Sequence, residues 1–196
     1  MKPNVIKVNR KLIALAGESS RQRILGVLSA YSDRAFSLTD LAKESGVAKS
    51  NIGPLVKEFE EMGLISIERL TKIWRIRANL SSWAFKKSKI VRNLNFIYQS
   101  GLVEYLNEKF RNPRAIILFG SYRTGDDVST SDIDIAIESD EPREMNTIHL
   151  AELESFENVI HRKIQIHTFH RKHVDQHVFS NIANGIVLLG HLETHP

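Results

Sequence analysis

Asp132 and Asp134, with one residue between them, are the pair in this chain whose type and spacing could do chemistry. They stand in the stretch SDIDIAIE, where polar and apolar residues alternate. In an extended strand Asp132, Asp134 and Ala136 point to one side, and Ile133, Ile135 and Ile137 to the other. The isoleucine side goes to a core, so the two carboxylates are displayed together, about 6–7 Å apart along the strand. Two carboxylates on one pleat suit a hard divalent cation such as Mg²⁺, which takes oxygen ligands and is often shared with substrate phosphates. Ahead of them stands Gly120-Ser121. Gly120 lets a phosphate approach the backbone closely, and Ser121 offers an N–H and a hydroxyl to hold it. GSYRTG is not a Walker phosphate loop, because the Lys and Ser/Thr of that motif do not follow it.

The elements that must position these residues can be read outward from them. Ala115–Phe119 is an apolar run bounded by Pro113 and Gly120, and reads as a buried strand. A polar loop containing Gly125 follows, then the second strand, Asp132–Ile137. Leu102–Phe110 reads as a short amphipathic helix feeding the first strand. Beyond the carboxylates the pattern predicts a helix over about Met145–Val159 and a strictly alternating strand, KIQIHTF, at Lys163–Phe169. A further helix is expected over about Lys172–Asn184, ended by Gly185, before a last apolar run at Ile186–Leu189.

A strand, Gly-Ser, ten residues, then Asp-x-Asp on a second strand resembles the signature of the nucleotidyltransferase superfamily that includes DNA polymerase beta, and looks closest to its small, minimal members. The resemblance implies a mixed sheet with helices on one side and a nucleoside triphosphate as substrate or ligand. It places Gly120 and Ser121 on the nucleotide, and Asp132 and Asp134 as catalytic carboxylates holding Mg²⁺ or Mn²⁺. It also places a third carboxylate on the strand corresponding to KIQIHTF, where the matching residue is Gln165, an amide that cannot act as a general base. Glu138, Asp126 and Asp127 are the carboxylates at hand to replace it. His167 lies on the same strand face, and a His ligand would shift preference toward Mn²⁺. No paired ligand spacing supports a histidine site, so His161 and His167 read as surface residues. Two functions stay open: transfer of a nucleoside monophosphate from a triphosphate to an acceptor hydroxyl, or binding of a nucleotide or partner protein without turnover.

The net charge of +4 over 196 residues hides a split. Residues 1–93 carry 18 Lys and Arg against 8 Asp and Glu, a balance of +10, whereas residues 94–196 carry 9 against 15, a balance of −6. Such asymmetry suggests a polyanion-binding module joined to something different. The basic half opens with a basic stretch, Met1–Ala16, and continues with a helix capped at Ser19 or Ser20. A short helix at Thr39–Ser45, a Gly46-Val47 turn and a helix over about Ala48–Met62 follow, and then a hairpin of Leu64–Arg69 and Ile73–Arg77.

The segment SLTDLAKESGVAKSNIGPLVKEFEEMGLISIERL resembles the winged helix-turn-helix domains of bacterial and archaeal transcription regulators. By that resemblance Ala48–Met62 is a recognition helix presenting Lys49, Ser50, Asn51 and Lys57 to double-stranded DNA. Arg69, Lys72 and Arg75 on the hairpin would reach phosphate or the minor groove. Gly53-Pro54 departs from the pattern and predicts a helix that begins later or kinks there.

The sequence therefore reads as an α+β chain: a winged helix-turn-helix DNA-binding domain at 1–80, a linking helix at 81–100 and a minimal nucleotidyltransferase domain at 101–196. The linking helix, Ser82–Gln99, packs within its own chain or offers a face to a second copy in a homodimer. No cysteine is present, which excludes disulfides and thiol chemistry. No run approaches eighteen apolar residues, so a cytoplasmic protein with no membrane partner is expected.

Overall fold

A computed structural model of the chain describes residues 8–14, 19–71, 73–140 and 145–194. Lys72 and the start of the basic N-terminal stretch lie outside them.

The basic half begins with α1 (Arg10–Ala14) and α2 (Ser20–Ala30). Ser19 caps α2 in a reciprocal capping box with Gln22, so two amide groups that the first turn would leave unpaired are satisfied. A two-residue strand β1 (Ala35–Phe36) precedes α3 (Leu38–Ser45), capped by Ser37 with Asp40 and stopped by Gly46 in the left-handed region. Next come α4 (Lys49–Glu61) and the antiparallel pair β2 (Ile65–Arg69) and β3 (Trp74–Ala78). The three strands form a sheet in the order β1-β3-β2. Ile24, Leu28, Phe36, Leu41, Val56, Phe59 and Ile76 close a core between these helices and the sheet.

Pro54 lies inside α4, which runs unbroken from Lys49 to Glu61, so the expectation of a later start is corrected. Pro54 has no N–H to give to the Ser50 carbonyl, but both residues are exposed and water can serve that carbonyl instead.

α5 (Trp83–Gln99), capped by Ser82, leads to α6 (Leu102–Lys109). The acidic half then follows as β4 (Ala115–Phe119), a short helix α7 (Gly120–Thr124), β5 (Ile133–Glu138), β6 (Asn146–Ile148), α8 (Glu154–Ile160), β7 (Ile164–Phe169), α9 (Gln176–Ala183) and β8 (Ile186–Gly190). A 3₁₀ turn at Ala151–Leu153 enters α8. The five strands form a mixed sheet, β6-β7-β5-β4-β8, in which only β5 and β7 run parallel.

Three expectations are revised. Asn146–Ile148 is an edge strand where a helix was expected, because the open edge of β7 supplies hydrogen-bond partners that no local pattern encodes. The Gly-Ser loop begins as one helical turn. Helices cover both sheet faces: Ile133, Ile135 and Ile137 pack with Phe96, Leu106 and Phe156, while Ile117, Ala136 and Phe169 pack with Ile182 of α9. Among the described residues no helix is long and apolar enough to cross a membrane.

Candidate active site

β4 and β5 pair so that Phe119, the last residue before Gly120, lies opposite Asp134. This register brings the Gly-Ser turn against the carboxylates. Gly120 has φ +73°, and a Cβ built there would collide with Asp134 Oδ2. Only glycine permits both the backbone conformation and the approach. Ser121 follows in the first turn of α7, half-buried, while Tyr122 turns inward to the core.

β7 supplies the opposite wall. Its parallel register sets Gln165 beside Asp134 and His167 beside Ala136. Gln165 Nε2 donates to Asp132 Oδ2. His167 Nε2 lies 3.1 Å from Asp134 Oδ1, and its Nδ1 lies 3.0 Å from Thr147 Oγ1 on β6. The ring also meets Phe119 edge-on, with centroids 5.2 Å apart. His167 is therefore buried and held on both nitrogens, which corrects its reading as a surface residue; His161 is exposed, as expected. The missed signal was the register: Gln165 and His167 are two residues apart on the face that meets Asp132 and Asp134.

The carboxylates at hand to replace the missing third acid are engaged elsewhere. Glu138 accepts from Arg171 Nε at 2.6 Å and Asp126 pairs with Lys86 at 2.6 Å. The hydrogen bond from Lys86 holds the Asp126 carboxyl below its ordinary pKa. Asp127 is buried against Lys89, at 3.2 Å. What remains is a hard-oxygen pair with an amide and an imidazole beside it. No group of three or more His, Cys, Asp or Glu that could hold a metal ion is gathered among the described residues. Two carboxylates fit one Mg²⁺ or Mn²⁺ that completes its shell with phosphate oxygens and water, and do not fit a pair of cations.

The residues expected on DNA form a second group. Lys49, Ser50, Asn51 and Lys57 are exposed on α4. Arg69 is bound in two-pronged fashion by Glu60, with Nη1 at 3.0 Å from Oε1, and stacks over Trp74 at 5.2 Å. Arg75 pairs with Glu68 at 3.1 Å. Arg69 and Arg75 thus already have carboxylate partners, while among the described residues Lys49 and Lys57 have none.

Residues 101–193 match the family model described as polymerase beta, nucleotidyltransferase. The match supports the nucleotidyltransferase superfamily for this part of the chain and, with it, nucleotidyl transfer as the general class of activity. No curated protein and no solved structure matches the chain.

Proposed function

We propose that the acidic half transfers a nucleoside monophosphate from a triphosphate to an acceptor hydroxyl, and that the basic half is a winged helix-turn-helix module that binds double-stranded DNA. The observation that carries the first part is the close approach of Gly120 to Asp134, which sets the Gly-Ser turn directly beside the carboxylate pair. Asp132 and Asp134 would hold a divalent cation, which when bound supplies charge stabilisation for the triphosphate. Gly120 and Ser121 bind and orient the phosphates. The acceptor oxygen bonds to the α-phosphorus, the α–β phosphoanhydride bond breaks, and pyrophosphate leaves with the electron pair. The acceptor proton passes toward the Asp134–His167 pair, whose outer nitrogen Thr147 fixes.

A second reading is favoured by one observation. Gln165 occupies Asp132 as a donor and brings no negative charge, so the domain would bind nucleotide, or a partner protein, without turnover. Incubation with labelled triphosphates, Mg²⁺ or Mn²⁺ and hydroxyl acceptors separates the two. Transfer lost by at least about a hundredfold in Asp134→Ala is expected for the enzyme. Triphosphate binding with no transfer under any condition would establish the second reading.

For the basic half, the element order helix–strand–helix–helix–hairpin and the exposed Lys49 and Lys57 support the DNA reading. Affinity for duplex DNA should fall steeply with salt, and Lys49→Ala with Lys57→Ala should reduce the slope by about two. A slope unchanged in that double variant would count against α4 as the contacting helix. The exposed Trp83 and Tyr98 of α5 mark the surface this reading would give to a second copy.

A further inference from the structure

A small polar chamber of about 60 Å³ lies where the two halves meet, lined by Ser29, Arg92, Tyr122, Asp127 and Arg162 among others. Three of its polar atoms, Ser29 Oγ, Tyr122 Oη and Arg162 Nε, are buried and have no hydrogen-bond partner among the described residues. All three are donors. Burial raises the Tyr122 phenol well above its ordinary pKa, so it stays protonated. Leaving three donors unsatisfied around one space is costly, and a ligand with several acceptor oxygens would satisfy them together.

The charge balance points the same way. Arg92 and Arg162 line the chamber with one buried carboxylate, Asp127, which is already held by Lys89 from behind at 3.2 Å, Asn93 at 3.1 Å and Arg162 at 3.7 Å, while Asp126 is taken by Lys86. Asp33, bound to Ser129, also lies within the field of Arg162 but further out. The excess is positive. Arg92 has no carboxylate partner among the described residues, and burial lowers its pKa. Its guanidinium lies across α2 at Gly26, where a Cβ would stand 3.0 Å from Nη2. A glycine inside a helix is unfavourable relative to alanine, and here it makes room for this cation.

The chamber shares Ala30, Arg92, Val159 and His161 with a cleft of about 1240 Å³ between α1, α2, α5 and the end of α8. Arg10, Arg23 and Lys87 line the cleft without carboxylate partners among the described residues, while Arg34 is neutralised by Glu44 at 2.8 Å. Leu25, Val27 and Val91 give it apolar walls. Neither space includes Gly120, Ser121, Asp132 or Asp134.

We propose that cleft and chamber form a binding site, separate from the carboxylates, for a phosphomonoester with an apolar or aromatic body, such as a nucleoside monophosphate. The phosphate sits on Arg92 and Arg162 and takes the hydrogen bonds of Ser29 and Tyr122; the body rests on Leu25, Val27 and Val91. Asn93, Tyr122 and Asp127, which line the chamber but not the cleft, are all buried, so the chamber is the inner part of the site. A terminal phosphate suits an inner recess, whereas a phosphodiester backbone must leave again.

The test is calorimetric titration of the full chain with AMP, adenosine and inorganic phosphate in EDTA, where the carboxylates contribute no metal-dependent binding. AMP is expected to bind at one site, at least about tenfold tighter than phosphate or adenosine alone, and Arg92→Met to weaken it at least about tenfold. Gly26→Ala, which displaces the guanidinium without removing its charge, and the exposed double variant Arg23→Gln with Lys87→Gln should each weaken it severalfold. These cover the case in which Arg92→Met does not fold. Asp134→Asn should leave the affinity unchanged. Absence of AMP binding at millimolar concentration, wild-type affinity in the folded variants, or loss of binding in Asp134→Asn would overturn the proposal. Equal affinities for AMP and phosphate would overturn the role of the cleft.

Discussion

Gln165 decides more about this site than any other single side chain. As an amide it donates to Asp132, so the carboxylate pair is held in place without a cation. A glutamate there would bring a third negative charge beside Asp132 and Asp134 and remove that donor. Two consequences follow from like-charge repulsion at short range. Without divalent cation, Gln165→Glu should lower the melting temperature, by an amount corresponding to about 1 kcal/mol. With Mg²⁺ or Mn²⁺ the loss should be recovered, and the metal-induced rise should exceed that of the wild type, since binding to the folded state adds stability by mass action. A melting series against metal concentration reads both. An equal metal response in the two proteins would mean that Asp132 and Asp134 do not hold a cation.

At the level of elements, much of the site was legible because its local patterns are strong. The alternation of Asp132–Ile137 and the Gly-Ser junction after Ala115–Phe119 correspond to β5, β4 and the start of α7. What the pattern hid depends on pairing across the sheet. Ile148, Leu150, Leu153 and Phe156 recur at near-helical spacing, yet Asn146–Ile148 adds to the edge of β7. That addition places Thr147 on His167 Nδ1, so the misread helix and the overlooked histidine have one cause. In α4 the sequence signal was over-read in the opposite sense. Proline removes one intrahelical hydrogen bond but also restricts the unfolded chain, and the two effects oppose each other. With the Ser50 carbonyl open to water, Pro54→Ala should stabilise the protein by about 1–2 kcal/mol, less than the full interior penalty. Urea unfolding monitored by circular dichroism measures it; a lower midpoint in the variant would show that Pro54 packs productively.

Across the whole molecule, the two halves are joined through buried polar contacts as well as along α5. Ser32 of the basic half donates to the Asp127 carbonyl at 3.1 Å, and Asp33 accepts from Ser129 Oγ at 2.7 Å. Arg162, at the entrance to β7, donates to Ser129 O at 3.1 Å and also to Ala30 O at the end of α2. Its side chain is 3% exposed, so it is a desolvated cation whose partners come from both halves. Removing one member of a buried charged cluster leaves the others uncompensated, typically at about 3–5 kcal/mol. Arg162→Leu should therefore destabilise the protein by that amount, and the loss should fall on the junction rather than on either apolar core. Both tryptophans, Trp74 and Trp83, lie in the basic half and α5, so their fluorescence follows that side while far-ultraviolet circular dichroism follows the whole chain. In the wild type the two signals should give one coincident urea transition, because the junction couples the cores. In Arg162→Leu they should separate, with the fluorescence and dichroism midpoints no longer superimposed. If they stay superimposed while stability falls, the cores are coupled through α5 and the Ser32 and Asp33 contacts, and Arg162 contributes only to local packing.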